Sequence, residues 1–309
     1  MATDSATATA AVTTRLDVRK TYKLAIGGAF PRSESGRSYR VFGGGADAAG
    51  ADSALLAHAA LASRKDVRDA VVAARAAQPG WAAASAYNRG QVLYRVAEML
   101  EGRADQLAAE VAAAEGLDAA SAAAMVAATV DRWVWYAGWS DKITQVAGNA
   151  NPVAGPYFNL SVVEPTGVIA VLAPQDSSLL GFTSVVAPVV VAGNACVVVA
   201  SHRRPLPAAT LAEVLATADV PGGVVNTLTG SAAELGPWLA AHEDVDGIDL
   251  TGAAELTEPG WAGLEAAAAD SLKRVRRPAE HAEDWRAVPG LDRILTFCET
   301  KTVWHPKGR

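Results

Sequence analysis

The sequence has little cysteine and little histidine. Only two cysteines, Cys196 and Cys298, and five histidines occur in 309 residues. A disulfide-stapled scaffold carries many more cysteines, and a structural zinc site needs clustered cysteine or histidine ligands. The scarcity argues against both classes and is typical of a reducing compartment, so we expect a cytoplasmic protein.

Positive charge and long apolar stretches are also scarce. The 27 lysines and arginines are outnumbered by 33 aspartates and glutamates, which gives a formal net charge of −6. This balance argues against a nucleic-acid partner, because phosphate-binding surfaces are strongly basic. No apolar run reaches the roughly 20 residues that cross a bilayer, so we expect no membrane partner. Residues 1–20 are small and polar, and are predicted to be a disordered tail rather than a secretory signal.

Helical patterns dominate residues 21–147. A short hairpin is predicted at Tyr22–Phe30 and a flexible surface loop at 43–53, because both contain turn-forming glycines. Four helices are predicted over residues 63–79, 89–103, 104–114 and 119–145. The first begins at Ser63 as N-cap and ends at Pro79. The fourth holds four aromatic residues, which we assign to the core between helices: Trp133, Trp135, Tyr136 and Trp139.

Strand patterns begin after residue 147. Residues 148–164 are predicted to form a β-hairpin, because turn residues precede an alternating run. Residues 165–272 alternate short apolar runs with helical segments, a spacing that predicts an α/β fold with a Rossmann-like doubly wound parallel sheet. Residues 273–293 are charged and without a period, and are predicted to be a linker. Residues 294–309 are rich in β-branched and aromatic residues and are predicted to form a closing strand.

The sequence contains no familiar catalytic or phosphate-binding motif, neither GxGxxG nor a P-loop nor HExxH. Cys196 lies in an apolar run and is expected to be a buried core residue. Cys298 has no neighbouring base, so a catalytic role is not expected. His202 follows a predicted strand, where α/β sheets bind ligands, although a solvated loop histidine is the simpler interpretation.

Several segments, in matching order over most of the chain, resemble the aldehyde dehydrogenase superfamily. The clearest is Glu164–Pro174 (EPTGVIAVLAP), followed by Ala187-Pro188 and by Ala192-Gly193-Asn194. The closing run Glu299–Trp304 (ETKTVW) is similar to the family's C-terminal tail. The resemblance implies that the hairpin at 148–164 and the C-terminal strand form a projecting oligomerisation element. It also implies that the family's catalytic domain is absent, because the segment 273–293 stands in its place.

The departures from the family pattern bear on catalysis and on the cofactor. By the resemblance, the general-base glutamate falls on Pro278, and the asparagine that stabilises the oxyanion falls on Asp176. Four family residues near the cofactor, a lysine, a glutamate, a glycine and a serine, become Val199, His202, Ala232 and Ala253. The retained cofactor-binding positions are Pro174, Gly230, Gly236 and Gly252, which we treat as vestigial. We therefore expect no catalytic residue and no bound cofactor, with NAD or NADP binding weak at most.

These features favour a catalytically inactive aldehyde dehydrogenase-like subunit, not an enzyme on its own. It would assemble with a full-length NAD(P)-dependent aldehyde dehydrogenase, and support or regulate it, through Tyr157, Phe158, Val303 and Trp304. One alternative is an NAD(P)-binding subunit that contributes to aldehyde oxidation inside a hetero-oligomer. Another is a free-standing module that binds a different ligand at the carboxyl edge of the sheet.

Overall fold

The computed structural model describes residues 18–45 and 54–308, and the strands in these ranges form three β-sheets. Most of the tail predicted over 1–20, and of the loop predicted over 43–53, lies outside the described residues.

The amino-terminal sheet contains β1 (Thr21–Tyr22), β2 (Ser38–Phe42) and β3 (Leu55–Ala60), in the order β1-β3-β2. The hairpin predicted at Tyr22–Phe30 forms only near its turn: Ile26 and Ala29 exchange hydrogen bonds across two glycines in the left-handed region, and the Leu24 N–H donates to the Pro31 carbonyl. The preceding strand β1 pairs in parallel with β3 instead. This pairing buries Tyr22 in a small apolar cluster, a contact that a local hairpin would not provide.

Five helices follow: α1 (Arg64–Ala83), α2 (Ala86–Glu101), α3 (Ala104–Glu115), α4 (Ala119–Trp139) and α5 (Ile143–Ala147). Ser63 caps α1 through a capping box with Asp66, as the sequence suggests. The helix does not end at Pro79. It continues because Trp81 is buried and its Nε1 donates a hydrogen bond to the Val190 carbonyl over 2.8 Å.

The fourth helix is shorter than predicted, since α4 ends at Trp139 and α5 is separate. Lys142 Nζ donates to the Gly138 carbonyl over 2.7 Å and so satisfies the end of α4. The aromatic residues of α4 pack as expected: Trp133 and Tyr136 are fully buried. Two further strands complete the predicted hairpin, β4 (Asn149–Asn151) and β5 (Tyr157–Pro165).

The central sheet is parallel and has the strand order β10-β9-β6-β7-β8. Its strands are β6 (Val168–Leu172), β7 (Ala195–Val199), β8 (Val225–Leu228), β9 (Gly247–Asp249) and β10 (Arg274–Arg276). Its connecting helices are α6 (Leu180–Val191), α7 (Leu206–Thr217), α8 (Ala232–Ala240) and α9 (Gly260–Ala269). All residues of β6 and β7 are buried, because helices cover both faces of the sheet. This is the predicted Rossmann-like, doubly wound α/β fold.

Residues 273–293 were predicted to be an irregular linker, and this prediction is wrong in part. Arg274–Arg276 forms strand β10, the fifth strand of the parallel sheet. Its Arg274 N–H donates to the Asp246 carbonyl, and its Arg276 carbonyl accepts from the Leu250 N–H. The charged side chains of β10 are tolerated because the strand lies at the edge of the sheet.

The predicted closing strand also begins later than expected. Residues Asp292–Thr296 form a short helix, α10, which buries Ile294 against the core together with the following Phe297. Strand β11 (Cys298–Pro306) then pairs antiparallel with β5, giving a third sheet in the order β11-β5-β4. Strand β11 is exposed along almost its whole length, and one of its edges pairs with no strand among residues 18–45 and 54–308.

No single helix in the described ranges is long and apolar enough to cross a membrane. Helices α3 and α4 reach that length only as a pair, which is bent by 118°.

Candidate functional site

A cleft opens where the order of the parallel strands reverses. Strands β6 and β9 are neighbours in the sheet but are separated in sequence by β7 and β8. In open α/β sheets, ligands bind outside the carboxyl ends of the strands at such a switch point. The loops that follow β6 and β9 line a cavity of about 260 Å³ here.

The walls of this cleft are acidic. Four carboxylates line it: Asp176, Glu255, Glu280 and Glu283. Two aromatic rings, His281 and Trp285, complete the wall on the side of the segment that follows β10. Glu283 is paired with Arg293, but the other three carboxylates would repel a pyrophosphate, because like charges at short range are unfavourable. The electrostatics of the cleft therefore do not favour a dinucleotide.

The vestigial cofactor-binding residues predicted from the sequence do not converge on one site. Pro174 and Gly252 line the cleft, whereas Gly230 and Gly236 are not among its lining residues. Gly230 follows β8 with a φ of 151°, a conformation that side chains rarely adopt. Gly236 lies in α8, where an added Cβ would be 3.4 Å from the Leu172 and Leu264 side chains.

Gly252 has a structural reason of its own to be glycine. An added Cβ would lie 1.9 Å from the Ala173 carbonyl oxygen, so only glycine allows the two backbones to approach. Close backbone packing thus explains Gly252, and a positive φ explains Gly230. The retention of these glycines is no evidence for a nucleotide.

The positions where the resemblance places ribose contacts now hold different groups. Val199 is the last residue of β7 and is fully buried. His202 stacks on Tyr39 from strand β2, with ring centroids 4.6 Å apart and planes inclined by 18°. The His202 N–H donates to Gln175 Oε1 over 3.1 Å, which ties the loops after β6 and β7 together. These groups provide neither an amine nor a carboxylate for a ribose.

Neither cysteine lies at the cleft. Cys196 is fully buried in β7, and burial raises the pKa of its thiol to about 12. Cys298 begins β11, where its Sγ lies 3.2 Å from the Ile294 carbonyl oxygen and burial raises the pKa to about 11. A nucleophilic cysteine needs a lowered pKa, so both thiols are in the wrong environment for covalent catalysis.

The segment between β10 and α10, which we call the strap (residues 279–291), is fixed by buried arginines. Arg293 pairs with Asp249 over 3.3 Å and with Glu283 over 2.5 Å, and its guanidinium lies 5.4 Å from the Trp285 ring. Arg132 of α4 donates to the Trp285 carbonyl over 2.6 Å and to the Ala287 carbonyl over 3.0 Å. The sequence offers no periodic signal for these contacts, so the strap could be found only in three dimensions.

The third sheet carries the exposed apolar residues of the candidate partner surface. Leu160 of β5 pairs with Val303 of β11, and both side chains are about half exposed. Phe158 lies two residues from Leu160 and therefore on the same face, because side chains alternate along a strand. We call these three residues the apolar face. Leu160 is absent from the surface predicted from the sequence.

The four predicted partner residues are divided between the two faces of this sheet. Phe158 and Val303 belong to the apolar face. Tyr157 and Trp304 lie on the opposite face, where their rings contact edge to face with centroids 6.0 Å apart. The inner part of that opposite face is polar, since the buried Asn159 accepts a hydrogen bond from Asn151 over 2.5 Å.

The described residues do not place three histidine, cysteine or carboxylate side chains together as a metal site. The cleft and the third sheet are therefore the two candidate functional regions, one shaped for a small ligand and the other for a protein.

The chain is similar to known proteins over most of its length. Residues 47–282 match the model of the aldehyde dehydrogenase family. Cytosolic 10-formyltetrahydrofolate dehydrogenase of Pongo abelii is 32% identical over 269 residues, which cover 84% of this chain and 28% of that protein. Mitochondrial benzaldehyde dehydrogenase of Antirrhinum majus is 32% identical over 260 residues, which cover 82% of this chain and 46% of that protein.

Solved structures show the same relationship. PnpE from Pseudomonas sp. WBC-3 superposes with a TM-score of 0.76 at 28% identity, covering 84% of this chain and 50% of that chain. The NAD⁺ complex of an aldehyde dehydrogenase from Bacillus cereus gives a TM-score of 0.75 at 26% identity, with 83% and 50% coverage. The family match, the strand order and the half-length superpositions agree: this chain belongs to the aldehyde dehydrogenase family and spans about half the length, or less, of these relatives.

Proposed function

We propose that this chain is a catalytically inactive member of the family that assembles with a full-length NAD(P)-dependent aldehyde dehydrogenase in the cytoplasm and supports or regulates it. The observation that carries the proposal is the third sheet. Among the described residues, this sheet presents an edge strand without a neighbour and an exposed apolar face. In addition, neither thiol of the chain lines the cleft.

The third sheet has the properties of a docking surface for another chain. In the described part of the chain, one edge of strand β11 has no strand beside it, which makes its backbone N–H and C=O groups a template for strand addition by a partner. Phe158, Leu160 and Val303 add exposed apolar area beside that edge. Contiguous apolar surface of this kind marks interaction sites on monomers.

The chemistry of the cleft supports inactivity of the isolated chain. Asp176 lies at the cleft, where the resemblance places an oxyanion donor. A carboxylate there would repel a developing oxyanion rather than stabilise it. Pro278, which replaces the expected general base, cannot accept a proton through its side chain. Both substitutions remove a group that the resemblance places at that position, and no cysteine thiol lines the cleft to act as nucleophile.

The interface is tested by two variants in a co-purification assay with the full-length aldehyde dehydrogenase of the same organism. Leu160→Lys places a charge on the apolar face, and Trp304→Ser removes an aromatic anchor from the other face. We expect each to reduce the recovered complex at least tenfold, because central apolar and aromatic residues dominate such interfaces.

The control is Tyr87→Ser, which removes a similarly exposed aromatic side chain from α2. It should leave co-purification unchanged. Full recovery of the complex with both sheet variants would contradict the proposed docking surface.

A second candidate is an NAD(P)-binding subunit, favoured by the open cleft of about 260 Å³ at the switch point. Loss of two charge-assisted hydrogen bonds at Val199 and His202 would weaken binding by about 3–6 kcal/mol. Calorimetric titration of the isolated chain should therefore give an NAD dissociation constant above about 1 mM. A low-micromolar constant would favour the second candidate.

A further inference from the structure

A second cavity lies beneath the strap, between α4, β10 and α10. Its volume is about 160 Å³. It shares only Glu283 and Trp285 with the lining of the switch-point cleft. Its floor is formed by Arg132 and Tyr136, which lie one turn apart on α4. Most of the remaining wall comes from the strap and from the first residues of α10.

Arg132 is a buried cation that donates its hydrogen bonds to neutral acceptors. It is 8% exposed. Its guanidinium donates to Ser184 Oγ over 2.8 Å and to the two strap carbonyls, and it forms no ion pair with a carboxylate among the described residues. Burial lowers the pKa of Arg132, and the nearby Tyr136 phenol and Asp284 carboxylate oppose this shift only in part. Removing a charge from water is costly unless an opposite charge compensates it.

Tyr136 provides an unused hydrogen-bond donor beside this cation. Its side chain is fully buried, and its hydroxyl has no hydrogen-bond partner among the described residues. Buried hydroxyl groups in folded proteins are nearly always hydrogen-bonded, so an unpartnered one that lines a cavity indicates a missing acceptor.

The carboxylates of this cavity are already engaged elsewhere. Glu283 binds Arg293 through both oxygens, and Asp292 binds Arg276 over 3.0 Å. Asp284 accepts the backbone N–H of Arg286 over 3.0 Å. Asp284 also acts on Arg132, but the two form no ion pair among the described residues. Arg132 and Tyr136 therefore still offer hydrogen-bond donors to the cavity without a directly bonded carboxylate.

We propose that this cavity binds a small oxyanion, a carboxylate or an inorganic phosphate, between the Arg132 guanidinium and the Tyr136 hydroxyl. A charge-assisted contact from each group would neutralise the buried cation and satisfy the phenol. Because Arg132 also holds two carbonyls of the strap, the bound anion would strengthen the attachment of the strap to α4.

The test is calorimetric titration of the full chain with sodium phosphate and, separately, with sodium acetate, at ionic strength held constant with chloride. At least one of the two anions should bind saturably and raise the thermal unfolding midpoint. Comparison of the phosphate and acetate titrations then shows which oxyanion the site prefers. Tyr136→Phe keeps the shape of the core and should weaken that binding about tenfold or more.

Arg132→Gln should abolish saturable binding, and its folded state is checked by circular dichroism. Tyr94→Phe, at an exposed tyrosine on α2, is the matched control and should bind as the unaltered chain does. If neither anion binds saturably, or if Tyr136→Phe binds with unchanged affinity, the proposal is wrong and the cavity holds only water.

Discussion

Cys196 lies in strand β7 with no exposed surface, and its environment disfavours the thiolate. Burial raises the pKa of its thiol from 9.0 to about 12. The unfolded chain therefore loses this proton at lower pH than the folded chain does. Its contribution to stability is complete below about pH 9 and declines as the pH rises from there towards 12.

The resulting prediction concerns alkaline stability. Between pH 8 and pH 10 the free energy of unfolding should fall by about 1.4 kcal/mol more in the unaltered chain than in Cys196→Val, because only the former carries the titrating thiol. Urea unfolding at the two pH values measures this difference. An equal fall in the free energy of unfolding of both proteins would mean that the Cys196 thiol is not buried away from water as the fold indicates.

Glycines show how far single residues can be interpreted from a sequence. The family pattern marks Gly230, Gly236 and Gly252 as cofactor-binding positions, yet Gly230 has a conformational reason and Gly252 a packing reason in this fold. Sequence comparison cannot separate these causes, because a glycine needed for backbone contact and one needed for a ligand look the same. The structure distinguishes the two causes at Gly252, because the Ala173 carbonyl lies where a side chain would have to be.

At the scale of elements, the strap is held by one buried ion-pair network. Asp249 is 2% exposed and binds Arg293, which also binds Glu283. Removing one partner of a buried pair leaves a charge without compensation. Arg293→Met should therefore destabilise the chain by about 3–5 kcal/mol, measured by urea unfolding.

Two further variants make this prediction specific to the network. Arg277→Met removes an exposed arginine that pairs with Glu265, and should cost no more than about 1 kcal/mol. Adding Asp249→Asn to Arg293→Met should recover part of the lost stability, since the uncompensated charge is then gone. Equal losses in Arg293→Met and Arg277→Met would show that the strap is not fixed by this network.

Elements with a strong pattern were predictable, and those without one were not. Strands β6 and β7 are continuous apolar runs because both faces are buried, so the sequence alone indicates them. Strand β10 is a three-residue edge strand with two arginines, and nothing in its composition suggests a sheet. Helix α10 lies where the sequence predicts a strand, because Ile294 and the following Phe297 pack into the core rather than on a pleated surface.

At the scale of the whole molecule, the order of motifs predicted the fold better than any local pattern did. The parallel sheet follows from alternating strands and helices, and the family match supports it. The pairing of β11 with β5 joins residues far apart in sequence, so its register was not predictable. That register divides the candidate partner surface between two faces and brings Leu160 into it.

The central claim is that this chain assembles with a full-length aldehyde dehydrogenase through its third sheet. Native mass spectrometry of the two chains, co-expressed and purified through a tag on this chain, tests it most directly. We predict a discrete complex containing both chains, which disappears when residues 299–309 are deleted while circular dichroism still shows the α/β fold. A monodisperse monomer that recovers none of the full-length enzyme, or a complex that survives the deletion, would contradict the account.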